Sequence, residues 1–254
     1  MHPAFARIDH RPWPPPRNRW RWRQSWLDLL FAHWPVPAQR LRPLVPPALA
    51  IDEFDGTSWV GVVPFRMEGV MRRPLPDFPG ISAFPELNLR LYVVADGKPG
   101  VWFISLDAGH RLAVWAARRF FHLPYFHADM DVRDDGTRIH YQSVRRARER
   151  VAFRGSYGPD SAPFEARPGT LEDFLTARYC LYTTSPRGAL LRAEVHHAPW
   201  PLQRAHADIE ENTIASGQGL VLEGPPALLH FSRRLDVVVW PIEAVAADQS
   251  RIES

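Results

Sequence analysis

A mainly β chain, built as an antiparallel sheet with a few peripheral helices, is predicted by three features. Prolines and glycines, 26 and 15 of them, cut the chain into short segments. Between the cuts lie strand-length runs of β-branched, aromatic and leucine residues. Neighbouring runs are joined by reversal strings such as Asp96-Gly97-Lys98-Pro99-Gly100, Asp134-Asp135-Gly136 and Ser185-Pro186-Arg187-Gly188.

Taken in order, residues 1–17 are proline-rich and expected to run extended over the surface, ahead of one domain spanning 18–246. Arg19 to Arg23 alternates arginine with tryptophan and opens a strand toward Trp26, with LLFAHW buried beyond it. Aromatics interleaved with cations also suit single-stranded nucleic acid, so a nucleic-acid binder is a competing reading of this strand. Val36-Pro37-Ala38 starts a short helix, with proline where a missing N–H costs nothing. Trp59 to Val70 is a strand containing Pro64, which places it at a sheet edge or at a bulge. Arg66 and Glu68 share one face of it, as a solvated pair or as cavity groups. Residues 71–83 form a loop, a candidate lid.

The stretch from Phe84 to Tyr125 carries the densest pattern. Leu87–Ala95 and Val101–Asp107 should pair as a hairpin. Along the first strand Leu87, Leu89, Leu91 and Val93 share one face, and Glu86, Asn88, Arg90 and Tyr92 share the other. Such a polar row either faces water or lines the inside of a curved sheet. His110–Phe121 follows as a helix with Leu112, Trp115, Ala116 and Arg119 at helical spacing. Asp107 or Ser105 is the expected cap, and the helix stops before Pro124.

Strands are predicted over Phe126–Arg133, Arg138–Arg146 and Val151–Tyr157. His127, Asp129 and Asp131 share a face of the first, without the convergent spacing of a zinc motif, and no metal site is assigned. Residues 158–169 are a loop and a seam within the domain. Thr170 caps a helix with Glu172 and Asp173 in its first turn. Strands over Tyr179–Thr184 and Ala189–His197 end at His196-His197, whose side chains point to opposite faces, so one at most reaches a cavity. Ala227–Ser232 and Leu235–Trp240 are read as two last strands, and 247–254 as a frayed tail.

Composition narrows the function classes. No apolar run approaches the roughly 18 residues of a membrane helix, and the N-terminus has no apolar signal core. Formal net charge is +3, and all but one of the 31 basic residues are arginine, which is not the footprint of a nucleic-acid-binding domain. A single cysteine, Cys180, excludes an internal disulfide and reads as a buried thiol. A cytoplasmic protein is expected. No phosphate loop, dinucleotide fingerprint or Ser-His-Asp signature occurs.

The strings LLFAHWPVP, DEFDGTSWVGVVPFRMEG, FPELNLRLYV, GVWFISLDA, ARRFFHLPY, LEDFLTARYCLY and HHAPWPLQ, spread from about Arg11 to Pro241, resemble the bacterial family known as DUF2071 or YqjF-like. That family is related to the acetoacetate decarboxylase-like superfamily, so the resemblance implies a mainly antiparallel β-barrel or curved sheet enclosing a small-molecule cavity. In that superfamily a glutamate opens a strand, a hairpin follows, and a Gly-Arg-Glu…Pro-Lys signature ends in a lysine that forms a Schiff base. The matching positions here are Glu86, Arg118 six residues before Pro124, and Tyr125 in place of the lysine. His197 aligns with a family histidine followed by Pro-Trp-Pro-Leu. The only lysine, Lys98, sits in a hairpin turn, where a solvated ammonium is expected.

These residues predict a small-molecule protein, enzyme or not, with no Schiff-base lysine and no cofactor. Glu86 would be the acid or base and Tyr125 a donor to an oxyanion or enolate. Asn88, Arg90, Arg118, Arg66 and His197 are the candidate ligand contacts, with Arg90 or Arg118 holding a carboxylate. The competing class is a non-catalytic protein that sequesters or senses a hydrophobic or aromatic compound. The expected partner is a small organic molecule, with self-association left open and neither nucleic acid nor membrane anticipated.

Overall fold

Strand β4 (Phe84–Ala95) is hydrogen-bonded along both edges, and the rest of the chain is arranged about it. A computed structural model describes residues 2–75, 82–146 and 150–245. Before β4 come β1 (Trp22–Pro35), α1 (Ala38–Leu41), β2 (Ala50–Ile51) and β3 (Trp59–Arg72). After it come β5 (Lys98–Ala108), α2 (Arg111–Phe121), β6 (Tyr125–Asp134), β7 (Ile139–Arg145) and β8 (Ala152–Pro159). The last group is α3 (Leu171–Thr176), β9 (Cys180–Thr184), β10 (Leu190–His197), β11 (Gln203–Asn212), β12 (Leu228–Val239) and β13 (Glu243–Ala244).

The strands form one large curved sheet in the order β13-β10-β9-β5-β6-β7-β8-β11-β12-β1-β3-β4-β2, and pairings of β4 with β5 and of β10 with β12 bring it round on itself. Most neighbours are antiparallel. The exceptions are β5 with β6 and β5 with β9; α2 makes the crossover that the first of these requires.

Strands β5 and β12 each change partner along one edge. β5 passes from β9 at Val101–Trp102 to β6 at Leu106–Ala108. β12 passes from β11 at His230–Phe231 to β10 at Val237–Val239. The wall β12-β1-β3-β4-β5 is therefore shared by two lobes, one completed by β6, β7, β8 and β11 and the other by β9 and β10. Alternation along the wall sends Leu30, Ala32, Val60, Val62, Leu87, Leu89 and Leu91 into the first lobe, where they meet Tyr141, Phe153 and Tyr157. Leu29, Phe31, Val63, Phe65 and Met67 go the other way and join Val195, Trp200 and Val237.

Several local expectations are narrowed or corrected. Of the two placements expected for Pro64, edge or bulge, it is the bulge that occurs: β3 lies between β1 and β4, and β1 carries one extra residue opposite Pro64, with Asp28 at a φ of 51°. The missing proline N–H thus falls where the ladder is interrupted. The last two predicted strands are one, because Arg233 and Arg234 stay extended, Arg233 tied to the buried Asp28 at 2.6 Å. Strand β11 was not expected; its Ala-His-Asp-Glu composition is poor in β formers, and pairing with β8 imposes it.

The cap of α2 is neither Asp107 nor Ser105 but His110, whose Nδ1 accepts from Ala113 N at 3.3 Å. The N-terminal segment runs over the outside of the sheet and is held there by Arg11. Arg11 is buried, donates to Val195 O at 2.5 Å and pairs with Glu194 at 2.9 Å, so the segment straps the outside of β10. The predicted tail and residues 76–81 of the candidate lid lie outside the described residues, and the first two lid positions, Met71 and Arg72, continue β3. Among the described residues no helix is long and apolar enough to cross a membrane.

Candidate functional site

The second lobe is hollow. A cavity of about 450 Å³ is walled by Trp22, Trp26, Phe65, Phe84, Phe103 and Trp200 together with one face of α2. Strand β4 contributes three of its polar groups, Glu86, Asn88 and Arg90, and Gln24, Tyr125, Thr176, Arg178 and His197 contribute others. Their cross-strand neighbours on β3 are Phe65, Val63 and Gly61, which belong to the same side of the wall. The polar row of β4 therefore lines the inside of a curved sheet. A side chain at Gly61 would meet the His33 ring at 3.1 Å and Arg90 Cγ at 3.5 Å, so the bare backbone there makes room for both.

Glu86 is 3% exposed and accepts from the Tyr125 hydroxyl at 2.6 Å. Burial pushes its carboxyl up to about 7, against the pull of the Tyr125 and Asn88 hydrogen bonds, with Asp107 adding to the rise. Tyr125 is raised well above its ordinary value by burial and by the neighbouring carboxylate, so it stays a neutral donor. Parallel pairing of Tyr125 with Leu106 brings the start of β6 beside Glu86. Tyr141 reaches through the wall from the other lobe and donates to the Glu86 carbonyl at 2.7 Å, which fixes the strand at this point.

Arg90 is 8% exposed and among the described residues has no carboxylate partner. One Nη donates to Tyr92 Oη and to Leu175 O, each at 3.3 Å, the guanidinium lies over the Phe31 ring, and Nε is unpartnered. Tyr92 in turn meets His33 Nε2 at 2.6 Å; burial and then Arg90 hold that imidazole neutral. A second cavity cation, Arg178, is neutralised by Asp52 at 2.5 Å and stacked on Phe174. His197 faces the cavity and bonds the Ala198 carbonyl through Nδ1 at 2.7 Å; burial depresses it to about 3, so it is a neutral ring. His196 points away and stacks on Phe5 and His10.

Two predicted ligand contacts fall outside the cavity. Arg66 turns outward to Asp28, 3.0 Å away, because the β1 bulge presents that carboxylate there. Arg118 lies on the exposed side of α2 and uses Nε to hold the Tyr125 carbonyl at 2.6 Å, so it touches the site only through backbone. Lys98 pairs with Glu194 at 2.6 Å, far along the hairpin from Glu86. Cys180 is buried and its thiol pushed up to about 11, the state of an inert structural cysteine. Trp22 and Trp26 turn into the cavity and are not offered to solvent as a stacking face. Asp129 pairs with Arg146 at 2.6 Å on the surface.

Sequence reasoning missed Arg178 and the wall residues Trp26, Phe103 and Trp200 as cavity groups. Arg178 sits in the string LEDFLTARYCLY, yet nothing local distinguishes it from a helix-end cation.

The match to known proteins is now informative. Residues 23–236 match the DUF2071 family model, described as an uncharacterized conserved protein. This chain belongs to the DUF2071 family. Its DUF2071 relative in Bacillus subtilis strain 168, the uncharacterized protein YqjF, is 48% identical over 227 residues, covering 89% of this chain and 93% of that one. The fold of this DUF2071 protein is shared with acetoacetate decarboxylase from Legionella pneumophila, at a TM-score of 0.59 and 15% identity over 94% of this chain and 93% of that one. The enduracididine biosynthesis enzyme MppR, solved with pyruvate, matches at a TM-score of 0.61 and 12% identity over 94% of this chain and 93% of that one. An acetoacetate decarboxylase-like enzyme from Sphingomonas wittichii RW1 matches at 0.60 and 11%, over 94% and 100% of the two chains. The DUF2071 fold is thus acetoacetate decarboxylase-like.

Proposed function

We propose that this protein binds a small organic compound bearing a carbonyl and a carboxylate in the β4 cavity, and acts on it by acid/base chemistry without a Schiff base. The observation that carries this reading is the Glu86–Tyr125 pair: a buried carboxyl held near neutrality, 2.6 Å from a tyrosine hydroxyl, in an apolar cavity. A carboxyl with a pKa near 7 can take a proton from carbon beside a carbonyl and return it. Once Glu86 is protonated, the Tyr125 O–H no longer faces a carboxylate and can turn to the enolate oxygen left behind. Arg90, a buried guanidinium with no carboxylate of its own among the described residues, suits the substrate's carboxylate. Imine chemistry has no support, since the lining contains no lysine.

The test is a thermal-shift screen of wild type, Glu86→Gln and Tyr125→Phe against keto acids, hydroxy acids and aromatic acids, followed by turnover or solvent-deuterium exchange on any ligand found. Exchange by wild type and none by Glu86→Gln is the expected result. Equal response of all three proteins would sink the assignment. The tryptophan and phenylalanine walls favour a second reading, sequestration of a hydrophobic or aromatic compound; tight binding with no exchange or turnover would select it.

A further inference from the structure

The exposed surface of α2 carries three large apolar side chains among its arginines, where a surface helix is normally polar. Only Val114 is buried, with Ala117 and Phe121 packed beside it, whereas Leu112 is 60%, Trp115 60% and Phe120 52% exposed. Arg111, Trp115 and Arg119 follow one another at a spacing of four, so two guanidiniums flank the exposed indole. Arg111, Val114, Trp115, Arg118, Arg119 and His127 border an open groove of about 430 Å³. No aspartate or glutamate occurs between Asp107 and Asp129, and among the described residues Arg111, Arg118 and Arg119 pair with no carboxylate. The charge does not serve the helix alone. Arg118 and Arg119 suit the negative end of its dipole, but Arg111 occupies the first turn, where a cation is disfavoured. Leu112 and Trp115 also line the cavity, so the exposed apolar residues of α2 stand at the rim of its mouth.

We infer that α2 docks this protein on an anionic phospholipid surface, with Leu112, Trp115 and Phe120 entering the interface and Arg111, Arg118 and Arg119 meeting lipid phosphates, so that the cavity sits against the bilayer. An apolar stripe edged with arginine is the composition of an interfacial helix. A second copy of this chain fits less well, because a self-facing contact here would bring arginines together with no acidic residue on the helix to offset them. The inference is independent of any chemistry at Glu86.

The experiment is flotation of the full chain with vesicles of pure phosphatidylcholine or of phosphatidylcholine with 30% phosphatidylglycerol, at 50 and 300 mM salt. Wild type should float with the anionic vesicles at low salt, at least tenfold less with the neutral ones, and largely release at high salt. The double variant Arg111→Glu/Arg119→Glu should lose binding, the lysine pair at the same positions should keep it, and Phe120→Ser should weaken it several-fold, each with an unchanged melting temperature. These positions are exposed, and the lysine pair guards against misreading a folding defect. No vesicle binding, or equal binding by the charge-reversed variant, overturns the proposal. So does stabilisation by inorganic phosphate without vesicle binding, or a dimer that Phe120→Ser dissociates.

Discussion

The two faces of β4 differ by one residue in phase and by everything in environment. Leu87, Leu89 and Leu91 enter a lobe filled by Tyr141, Phe153 and Tyr157, while Glu86, Asn88 and Arg90 enter a lobe left hollow. Each lobe also holds a buried carboxylate, and the contrast is chemical. Asp107, across from Leu87 and hence on the filled side, is met by Arg145 at 2.8 Å, which also donates to Ser105 at 3.0 Å. Burial raises Asp107 and Arg145 opposes the rise. Among the described residues Glu86 has no cation against it and is held by a tyrosine and an amide, so burial prevails. The packed lobe sets a cation against its buried carboxylate; in the hollow lobe Arg178 is paired with Asp52, whereas among the described residues Glu86 and Arg90 meet no opposite charge.

The sharpest break is Arg145→Met. Removing one partner of the buried pair should cost about 3–5 kcal/mol in urea unfolding, and Asp107→Leu in the same chain should recover most of it. If the single variant is harmless, Asp107 is not ionised and the contrast between the lobes fails. Next, Leu89→Ala on the filled face should cost about 2–5 kcal/mol, and Leu29→Ala on the cavity face less than half as much, because a side chain beside a void has fewer contacts to lose. Equal losses would mean that the cavity collapses in solution.

Glu86 supplies a pH test. Its folded pKa lies near 7 against an ordinary 4.5, so between these values the folded state holds more protons than the unfolded one. Stability from this group is full below about pH 4.5, falls as pH rises, and is reduced by about 3 kcal/mol above pH 7. Glu86→Gln should flatten the pH dependence of unfolding free energy across that window. An unchanged profile would show that Glu86 is ionised without penalty. Smallest is Tyr125→Phe: losing a hydrogen bond that favours the carboxylate should move the Glu86 titration upward and cost about 1 kcal/mol at pH 8. A downward movement, followed by carboxyl infrared bands, would refute the pairing.

Much of the frame was legible. The hairpin β4–β5, the meander β6–β7–β8 and the Thr170 cap each rest on local signals: alternation, turn residues and a side-chain acceptor at the right place. The misses share a cause. β11 is a strand because β8 needs a partner, Asp107 is an ion-pair member because Arg145 arrives from β7, and Arg66 faces out because β1 bulges at Asp28. In α2, spacing identified a helix with Leu112 and Trp115 in register, but Val114 and Phe121 are what pack.

The sequence by itself determined the period-two division of β4 into an apolar row and a polar row, since alternation is a property of any extended chain. It also determined that no lysine stands where an imine would need one. Only the tertiary structure decided that the polar row faces a cavity instead of water, that Glu86 meets Tyr125, and that Arg90 has no carboxylate partner among the described residues while Arg66 and Arg118 are engaged elsewhere. Those outcomes depend on which strands close over the wall and where β1 bulges, and such long-range pairings are set by the packing of the whole sheet.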